Sequence, residues 1–386
     1  VHGEKKMKKI LIVAMADSVH TARWLRQFDS DEIEFVLFPS TPHRRIHGLI
    51  GEHKQVKQIS SLRISRFMTI GALPLGILDL LFNNFFRSKL LAREIKTFQP
   101  DIIHIMETQH SGYLANKALK KSRTSSKIIL SIWGSDLFWF QNLRRHKKKL
   151  TRLLSSVHLL VTECHRDEEL ARKFGFIGEC LHGVPASGGF DHQDFSEFLP
   201  DNSPSKRRTI SIKGYSGFVG LGPTAIRGLK SISSYVKNYE IVIYSASPYS
   251  KLVASRVRLL TGLDIKVYLK HSLTPMQMQD LFLRSRVVLG MSKSDGLPAT
   301  IKEAMFTGAF PVQTDTSCTS EWLKNGISTL LISPTSTFDF KKAMQMAMTD
   351  DELVDIAAKI NFEIAKTRMD RVVVRSKALS AYGLIS

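Results

Sequence analysis

Two carboxylates near the C-terminus carry the most informative chemistry in this chain. Asp295 lies in Ser294-Asp295-Gly296-Leu297-Pro298 and Glu303 in Glu303-Ala304-Met305, followed by Gly308-Ala309-Phe310-Pro311-Val312 and Glu321. The turn residues before an apolar stretch predict a helix start, with Asp295 as its cap and Pro298 in its first position. The N–H groups of Gly296 and Leu297 and the positive end of that helix would then form an anion site. Carboxylates beside an anion site suit a ligand that is anionic at its centre and rich in hydroxyls at both ends. The backbone would take the anion. Asp295 and Glu303, about two helical turns apart, would each take hydroxyls.

Other polar residues stand where strands are expected to end, and in open α/β sheets ligands sit beyond the carboxyl ends of strands. Asp17-Ser18-Val19-His20-Thr21-Ala22-Arg23-Trp24 follows the first strand. Ser18 and His20 are cleft candidates there, or else plain residues at a helix start. Glu107-Thr108-Gln109-His110 and Trp133-Gly134-Ser135-Asp136 follow two further strands. Glu107 is either a cleft residue or part of a polar turn. Asp136 either orients an acceptor hydroxyl and takes its proton or caps the next apolar segment. Lys213, in Ile212-Lys213-Gly214-Tyr215, is the best basic candidate at the head of the second half, with Arg227 a second. The glycine-rich loop from Ser216 to Pro223 is by itself a weak signal. His271 and Ser272 precede a helix and are further binding candidates or generic loop. Neither Glu107 with His110 nor Glu163 with His165 has the second ligand pair that a metal site needs.

From Ser292 to Glu321 the chain resembles the donor-binding signature of the large family 4 of retaining glycosyltransferases. Members of that family have the GT-B fold and usually carry Glu, seven residues, Glu; here the first acid is Asp295. The resemblance implies a nucleotide-sugar donor with sugar hydroxyls on Asp295 and ribose on Glu303. Its diphosphate would lie on Gly296, Leu297 and Lys213, with Ser294 in the same loop and Arg227 as a further cation. The base would lie near His271 and Ser272. The acceptor would meet Ser18, His20, Glu107, Trp133 and Asp136 in the first domain. The resemblance also implies no metal and no cofactor beyond the donor itself, since helix dipoles and basic side chains neutralise the diphosphate. Three departures stand out. Trp133 takes the place often held by His, Leu221 stands where an Arg is expected, and the first turn carries Ser18-x-His20-x-x-Arg23-Trp24 in place of glycines.

These residues need a scaffold, and the apolar runs supply one. Lys8 to Ala14, Glu34 to Phe38, Asp101 to Ile105, Lys127 to Ile132 and His158 to Thr162 read as buried strands alternating with helical stretches. The alternation restarts after a polar, turn-rich stretch with Thr209 to Lys213, Glu240 to Ser245, Ile265 to Tyr268, Val287 to Met291, Ala309 to Gln313 and Thr329 to Ile332. Strand–helix alternation predicts parallel sheets covered on both faces. The expected architecture is α/β: two doubly wound, Rossmann-like domains facing each other across a cleft. Their expected bounds are residues 1–190 for acceptor binding, a linker at 191–208, and 209–365 for donor binding. A final helix over 366–386 is expected to cross back to the first domain.

Composition narrows the partners. The chain has 386 residues, 43% hydrophobic, and a net charge of +20, which points to acidic partners. No zinc-finger spacing, RNP-type aromatic pattern or basic zipper accompanies that charge, so nucleic acid is not expected. Arg144-Arg145-His146-Lys147-Lys148-Lys149 with Arg152 is either a solvated helix face or a surface for anionic lipid and a lipid-linked acceptor. Phe67 to Phe86 is apolar with one charge, Asp79. It reads as an interfacial element, a buried helix and loop, or, least well given its Gly, Pro and Asn residues, a spanning helix. Cys164, Cys180 and Cys318 are scattered, which suits a reducing compartment. The apolar run after Lys9 is too short for a leader. The expectation is a cytoplasmic enzyme, peripheral on the inner face of the membrane, that moves a sugar onto a lipid-linked glycan in surface polysaccharide or lipopolysaccharide synthesis. A catalytically degenerate protein that binds or scaffolds a nucleotide sugar is the main rival, and a non-hydrolysing sugar-nucleotide epimerase a lesser one.

Overall fold

A computed structural model describes residues 7–28, 33–41, 46–51, 56–58, 77, 79, 81, 82, 84–191, 203–217 and 219–384. The chain divides into two compact units. One comprises residues 1–189 with 371–386, and the other residues 190–370.

Among the described residues, the first unit has seven parallel strands: β1 (Lys8–Ala14), β2 (Ile33–Pro39), β3 (Val56–Gln58), β4 (Ile102–Met106), β5 (Lys127–Ser131), β6 (Leu159–Val161) and β7 (Glu179–Leu181). Their order is β3-β2-β1-β4-β5-β6-β7. The second unit has six parallel strands: β8 (Thr209–Lys213), β9 (Glu240–Ala246), β10 (Ile265–Leu269), β11 (Ser285–Gly290), β12 (Phe310–Thr314) and β13 (Leu330–Ile332), ordered β10-β9-β8-β11-β12-β13. The near-continuous apolar composition of the central strands follows from burial on both faces of a parallel sheet. Ile10 to Ala14 and Val287 to Leu289 are 0% exposed. Each sheet reverses direction once, at β1/β4 and at β8/β11. Those reversals are the switch points at which crossovers leave to opposite sides and open a crevice.

All eleven strands expected from the apolar runs are present. The two that were not expected, β3 and β7, are three-residue edge strands with too little apolar sequence to show a period. The C-terminal boundary differs from the sequence reading. The expected break at 365/366 falls inside one continuous helix, Asp351–Met369, which stays with the second unit. The chain changes unit at Asp370 and Arg371, and the next helix, Arg371–Ala381, belongs to the first. Most of the linker expected at 191–208 lies outside the described residues, as does most of the Phe67–Phe86 segment. Of that segment, Ile77, Leu81, Phe82, Phe85 and Phe86 are exposed, while Asp79 pairs with the buried Arg87 at 3.2 Å. Among the described residues, no helix is long and apolar enough to cross a membrane.

The C-terminal segment is tied to the core of the first unit by a polar chain inside an apolar cluster. Val374, Ala378, Ala381 and Tyr382 pack with Ile10, Ile12, Trp24 and Phe35. Trp24 Nε1 donates to the Tyr382 hydroxyl at 2.9 Å. That hydroxyl lies 2.8 Å from His104 Nδ1, and His104 Nε2 lies 2.7 Å from Ser131 Oγ. Tryptophan can only donate, so the tyrosine oxygen accepts from it; with the Tyr382 O–H turned to Nδ1 the histidine would carry its proton on Nε2. Complete burial holds this ring neutral and pushes its pKa down to about 3.

A histidine whose folded pKa lies below its unfolded value contributes stability that is full above the unfolded pKa of about 6.5. That contribution is lost as pH falls toward the folded value. Between pH 7 and pH 5 His104 alone should remove on the order of 2 kcal/mol of stability. Urea denaturation of the wild type and His104→Gln at both pH values checks this: the variant should lose less on acidification. Tyr382→Phe leaves Trp24 Nε1 and His104 Nδ1 without their partner and should cost about 1–3 kcal/mol.

Candidate functional site

The β8/β11 switch point brings together residues that are more than seventy positions apart in the chain. β8 ends at Lys213 and the neighbouring β11 ends at Gly290, and both ends open on the same edge because the strands are parallel. Lys213 Nζ lies 3.9 Å from Asp295 Oδ2, each side chain 29% exposed. The glycine loop after β8 closes against the segment after β11. Gly220 and Ser292 form an antiparallel bridge, Leu221 N–H donates to Met291 O at 3.0 Å, and Lys293 N–H donates to Val219 O at 2.7 Å. Gly222 is required by that closure, since a Cβ there would lie 2.5 Å from the Gly214 carbonyl carbon.

The turn carrying Asp295 is held from the other side by hydroxyls at the end of β12. Thr314 Oγ1 accepts from Ser292 N–H at 2.9 Å and donates to Ser292 O at 2.9 Å. Thr316 Oγ1 donates to Ser292 O at 2.6 Å, and Asp295 N–H donates to Thr316 O at 3.3 Å. Cys318 N–H donates to Gly296 O at 3.1 Å. Threonines 314 and 316 escaped the sequence reading because Thr-Asp-Thr-Ser looks like any polar turn; only strand adjacency shows what they hold.

The helix start differs from expectation. The helix is Ala299–Thr307 and its N-cap is Pro298, with no side-chain cap. Asp295 lies too far before the helix to cap it, and its Oδ1 instead accepts from Gly296 N–H at 3.0 Å. The Gly296 amide is therefore engaged in this structure. The Leu297 side chain packs with Ile301, Met305 and Trp322 in an apolar cluster. The first-turn amides that lack an intrahelical acceptor are those of Ala299 and Thr300. Ser294 is fully buried within the turn. Glu303 is half-buried on this helix, beside the buried phenol of Tyr244 on β9.

His271 and Ser272 are exposed in the turn after the edge strand β10, two strands from β8, with Ser272 Oγ donating to Leu269 O at 2.7 Å. His271 adopts a left-handed φ of 67°. Arg227 lies in the last turn of the Gly222–Gly228 helix and donates to the hydroxyl of Tyr249, in the first turn of the Pro248–Thr261 helix that follows β9, where Ser250 Oγ donates to Gly214 O at 2.5 Å.

The first unit gathers a second set of residues at its carboxyl edge. Ser18 caps the Val19–Leu25 helix by accepting from His20 N–H at 3.2 Å. The His20 and Trp133 rings lie 5.0 Å apart at 51°. Trp133 Nε1 is buried with no hydrogen-bond partner among the described residues. Glu107 and Asp136 do not face open space. Glu107 is buried, with its carboxylate accepting from the backbone N–H groups of Gln109, His110 and Ser111. Its backbone sits at φ 75°, ψ 157°, a region that ordinarily takes only glycine. The three amides over-determine it. Burial raises its pKa, against the pull of His110 and those amides.

Asp136 is 7% exposed and accepts from Trp133 N–H at 2.9 Å and Thr108 N–H at 3.1 Å. Gly134, not Asp136, is the N-cap of the short helix that follows. Burial first, then the Glu107 and Asp167 charges, hold Asp136 well above the carboxylate range. Both acids are thus anchors for the loops after β4 and β5. Thr314→Val should remove the two hydrogen bonds that its hydroxyl makes to the Ser292 peptide groups, costing about 1–3 kcal/mol. Hydrogen exchange checks this through faster exchange at the amides of Ser292 and Asp295.

Residues 9–163 match the family model described as "Glycosyl transferase 4-like". None of the curated proteins compared with the chain matches it. Solved structures align over nearly its whole length. HepE of Anabaena, in complex with UDP-glucose, is 13% identical with a TM-score of 0.69, covering 98% of this chain and 100% of that one. The lipopolysaccharide outer core galactosyltransferase WaaB, in its apo form, is 14% identical with a TM-score of 0.68, covering 98% and 100%. The α,α-trehalose 6-phosphate synthase of Burkholderia multivorans is 11% identical with a TM-score of 0.69, covering 98% of each. The chain has the two-unit α/β fold of these GT-B glycosyltransferases.

Proposed function

We propose that the chain is a retaining, metal-independent glycosyltransferase that takes a sugar from a nucleoside diphosphate donor bound on the second unit. The observation that carries this reading is the meeting of Lys213 and Asp295 at the β8/β11 switch point, 3.9 Å apart, with Glu303 on the helix that follows. Lys213 and the first-turn amides of Ala299 and Thr300 supply positive potential for a diphosphate. Asp295 is assigned to the sugar hydroxyls and Glu303 to the ribose. His271 and Ser272 are assigned to the base side. Similarity to a structure that binds UDP-glucose supports the donor class. Retention is taken from the resemblance of the Ser292–Glu321 segment to family 4.

In the reaction the bond between the anomeric carbon and the donor phosphate oxygen breaks, and the acceptor oxygen bonds to that carbon. Negative charge then builds on the departing diphosphate, where pre-aimed amides and Lys213 stabilise it. Asp136 and Glu107 are occupied by backbone amides, so the departing phosphate oxygen is the group that takes the acceptor proton. His20 and the unpartnered Trp133 Nε1 are assigned to the acceptor, with Ser18 positioning His20. Exposed Phe82, Phe85 and Phe86 and the basic Arg144–Leu154 helix suit a lipid-linked acceptor at the inner face of the cytoplasmic membrane, in surface polysaccharide or lipopolysaccharide synthesis. No nucleic acid is assigned as a partner.

A thermal-shift panel of UDP, GDP, dTDP, ADP and CMP sugars tests the reading. One series should stabilise the wild type by about 2–3 kcal/mol near saturation and leave Glu303→Ala unmoved. Lys213→Ala should lower turnover of that donor by about 10²–10³. A donor that binds but is neither transferred nor slowly hydrolysed would instead favour the scaffold role. No stabilisation by any member would sink the donor site.

A further inference from the structure

The geometry points to a divalent metal site in the first unit, formed by His165, Glu168 and His182, with zinc the best-suited ion. His165 and Glu168 lie on one face of the His165–Lys173 helix, three residues apart. His182 directly follows β7. Ligand atoms of the three side chains all lie within 4.8 Å of one another. Glu168 Oε2 and His182 Nε2 are 2.5 Å apart, and the two imidazole rings lie 4.0 Å apart. Nitrogen and oxygen ligands about 2.0–2.1 Å from a tetrahedral zinc ion stand about 3.4 Å from each other. The set would therefore close on an ion with side-chain shifts on the order of 1 Å, a small adjustment for half-exposed groups.

The surroundings suit the assignment. Metal-bound histidines generally donate their other ring N–H to a fixed acceptor. His182 Nδ1 lies 3.3 Å from the hydroxyl of the fully buried Thr162, which leaves Nε2 facing Glu168. Cys180 Sγ lies 3.7 Å from His182 Nδ1, on the far nitrogen, and is not one of the three ligands. Arg172 pairs with the other oxygen of Glu168 and leaves Oε2 for the site. Two imidazoles and a carboxylate are borderline donors, which select zinc and its neighbours over magnesium or calcium.

The site has a structural use. Among the described residues, β7 is a three-residue edge strand that pairs only with β6. The Lys377 ammonium of the C-terminal helix rests on the carbonyls of His182 and Gly183, at 3.4 and 3.1 Å. An ion joining His182 to the preceding helix would fasten this edge and the seat of the C-terminal helix together. The inference concerns elements of the first unit alone and stands apart from the donor site.

The test is calorimetric titration of the full, chelator-treated chain with zinc chloride, alongside thermal unfolding with and without zinc. The wild type should bind about one equivalent at micromolar or tighter dissociation constant and unfold at a higher temperature with the ion. His165→Gln should weaken binding about tenfold or more while unfolding like the metal-free wild type, because His165 is exposed. His182→Gln should weaken binding similarly; if it does not fold, His165→Gln decides alone. No binding, or binding unchanged in His165→Gln, would overturn the assignment.

Discussion

The site depends on one topological constraint: the second sheet reverses its strand order between β8 and β11. Two parallel neighbours whose crossovers depart to opposite sides leave their carboxyl ends uncovered. Whatever follows them must meet in the crevice between. Lys213 and Asp295 come from those two ends, and no local feature of the chain could bring them within 3.9 Å of each other. The apolar strands that fill the sheet interior therefore do more than stabilise the unit. Their order decides which polar residues share a site.

A crevice places residues only coarsely, and the finer positioning comes from hydroxyls. Thr314 and Thr316 grip the peptide groups of Ser292, and the glycine loop after β8 is hydrogen-bonded to Met291, Ser292 and Lys293. The Asp295 turn is thereby fixed by its neighbours on both sides rather than by a helix cap of its own. Asp295 consequently keeps one carboxylate oxygen toward Lys213 while the other satisfies the next amide. The first unit uses buried acids for a similar purpose. Glu107 binds three amides and Asp136 two, so each carboxylate shapes a loop at the carboxyl edge. Such anchors are costly to bury, and the multiple N–H partners are what make them tolerable.

Much of this organisation was legible from sequence. Runs such as K-K-I-L-I-V-A are too apolar for anything but a strand buried on both faces, and all eleven expected strands formed. β3 and β7 were invisible because three edge residues give no period. Residue type and spacing single out Asp295, Glu303 and Lys213, and the structure brings Lys213 and Asp295 together. Other details were not legible from the local pattern alone. Asp295 reads as a cap locally, yet the helix begins at Ala299. Glu107 reads as a cleft residue or part of a polar turn and Asp136 as an acceptor-orienting base or a helix cap, and in the structure both carboxylates accept from backbone amides. Arg227 reads as a second basic candidate, and its bond to the Tyr249 hydroxyl is not visible in the sequence. His165 and Glu168 are neighbours in sequence, but the third proposed ligand, His182, reaches them only through the pairing of β7 with β6.

The most direct measurement of the central claim is a crystal structure of the chain with an intact nucleotide sugar bound. The account predicts the diphosphate over the first-turn amides of Ala299 and Thr300 with Lys213 in hydrogen-bonding contact, the ribose at Glu303 and the sugar at Asp295. A donor bound elsewhere, or bound with Lys213 and Glu303 both out of contact, would contradict it.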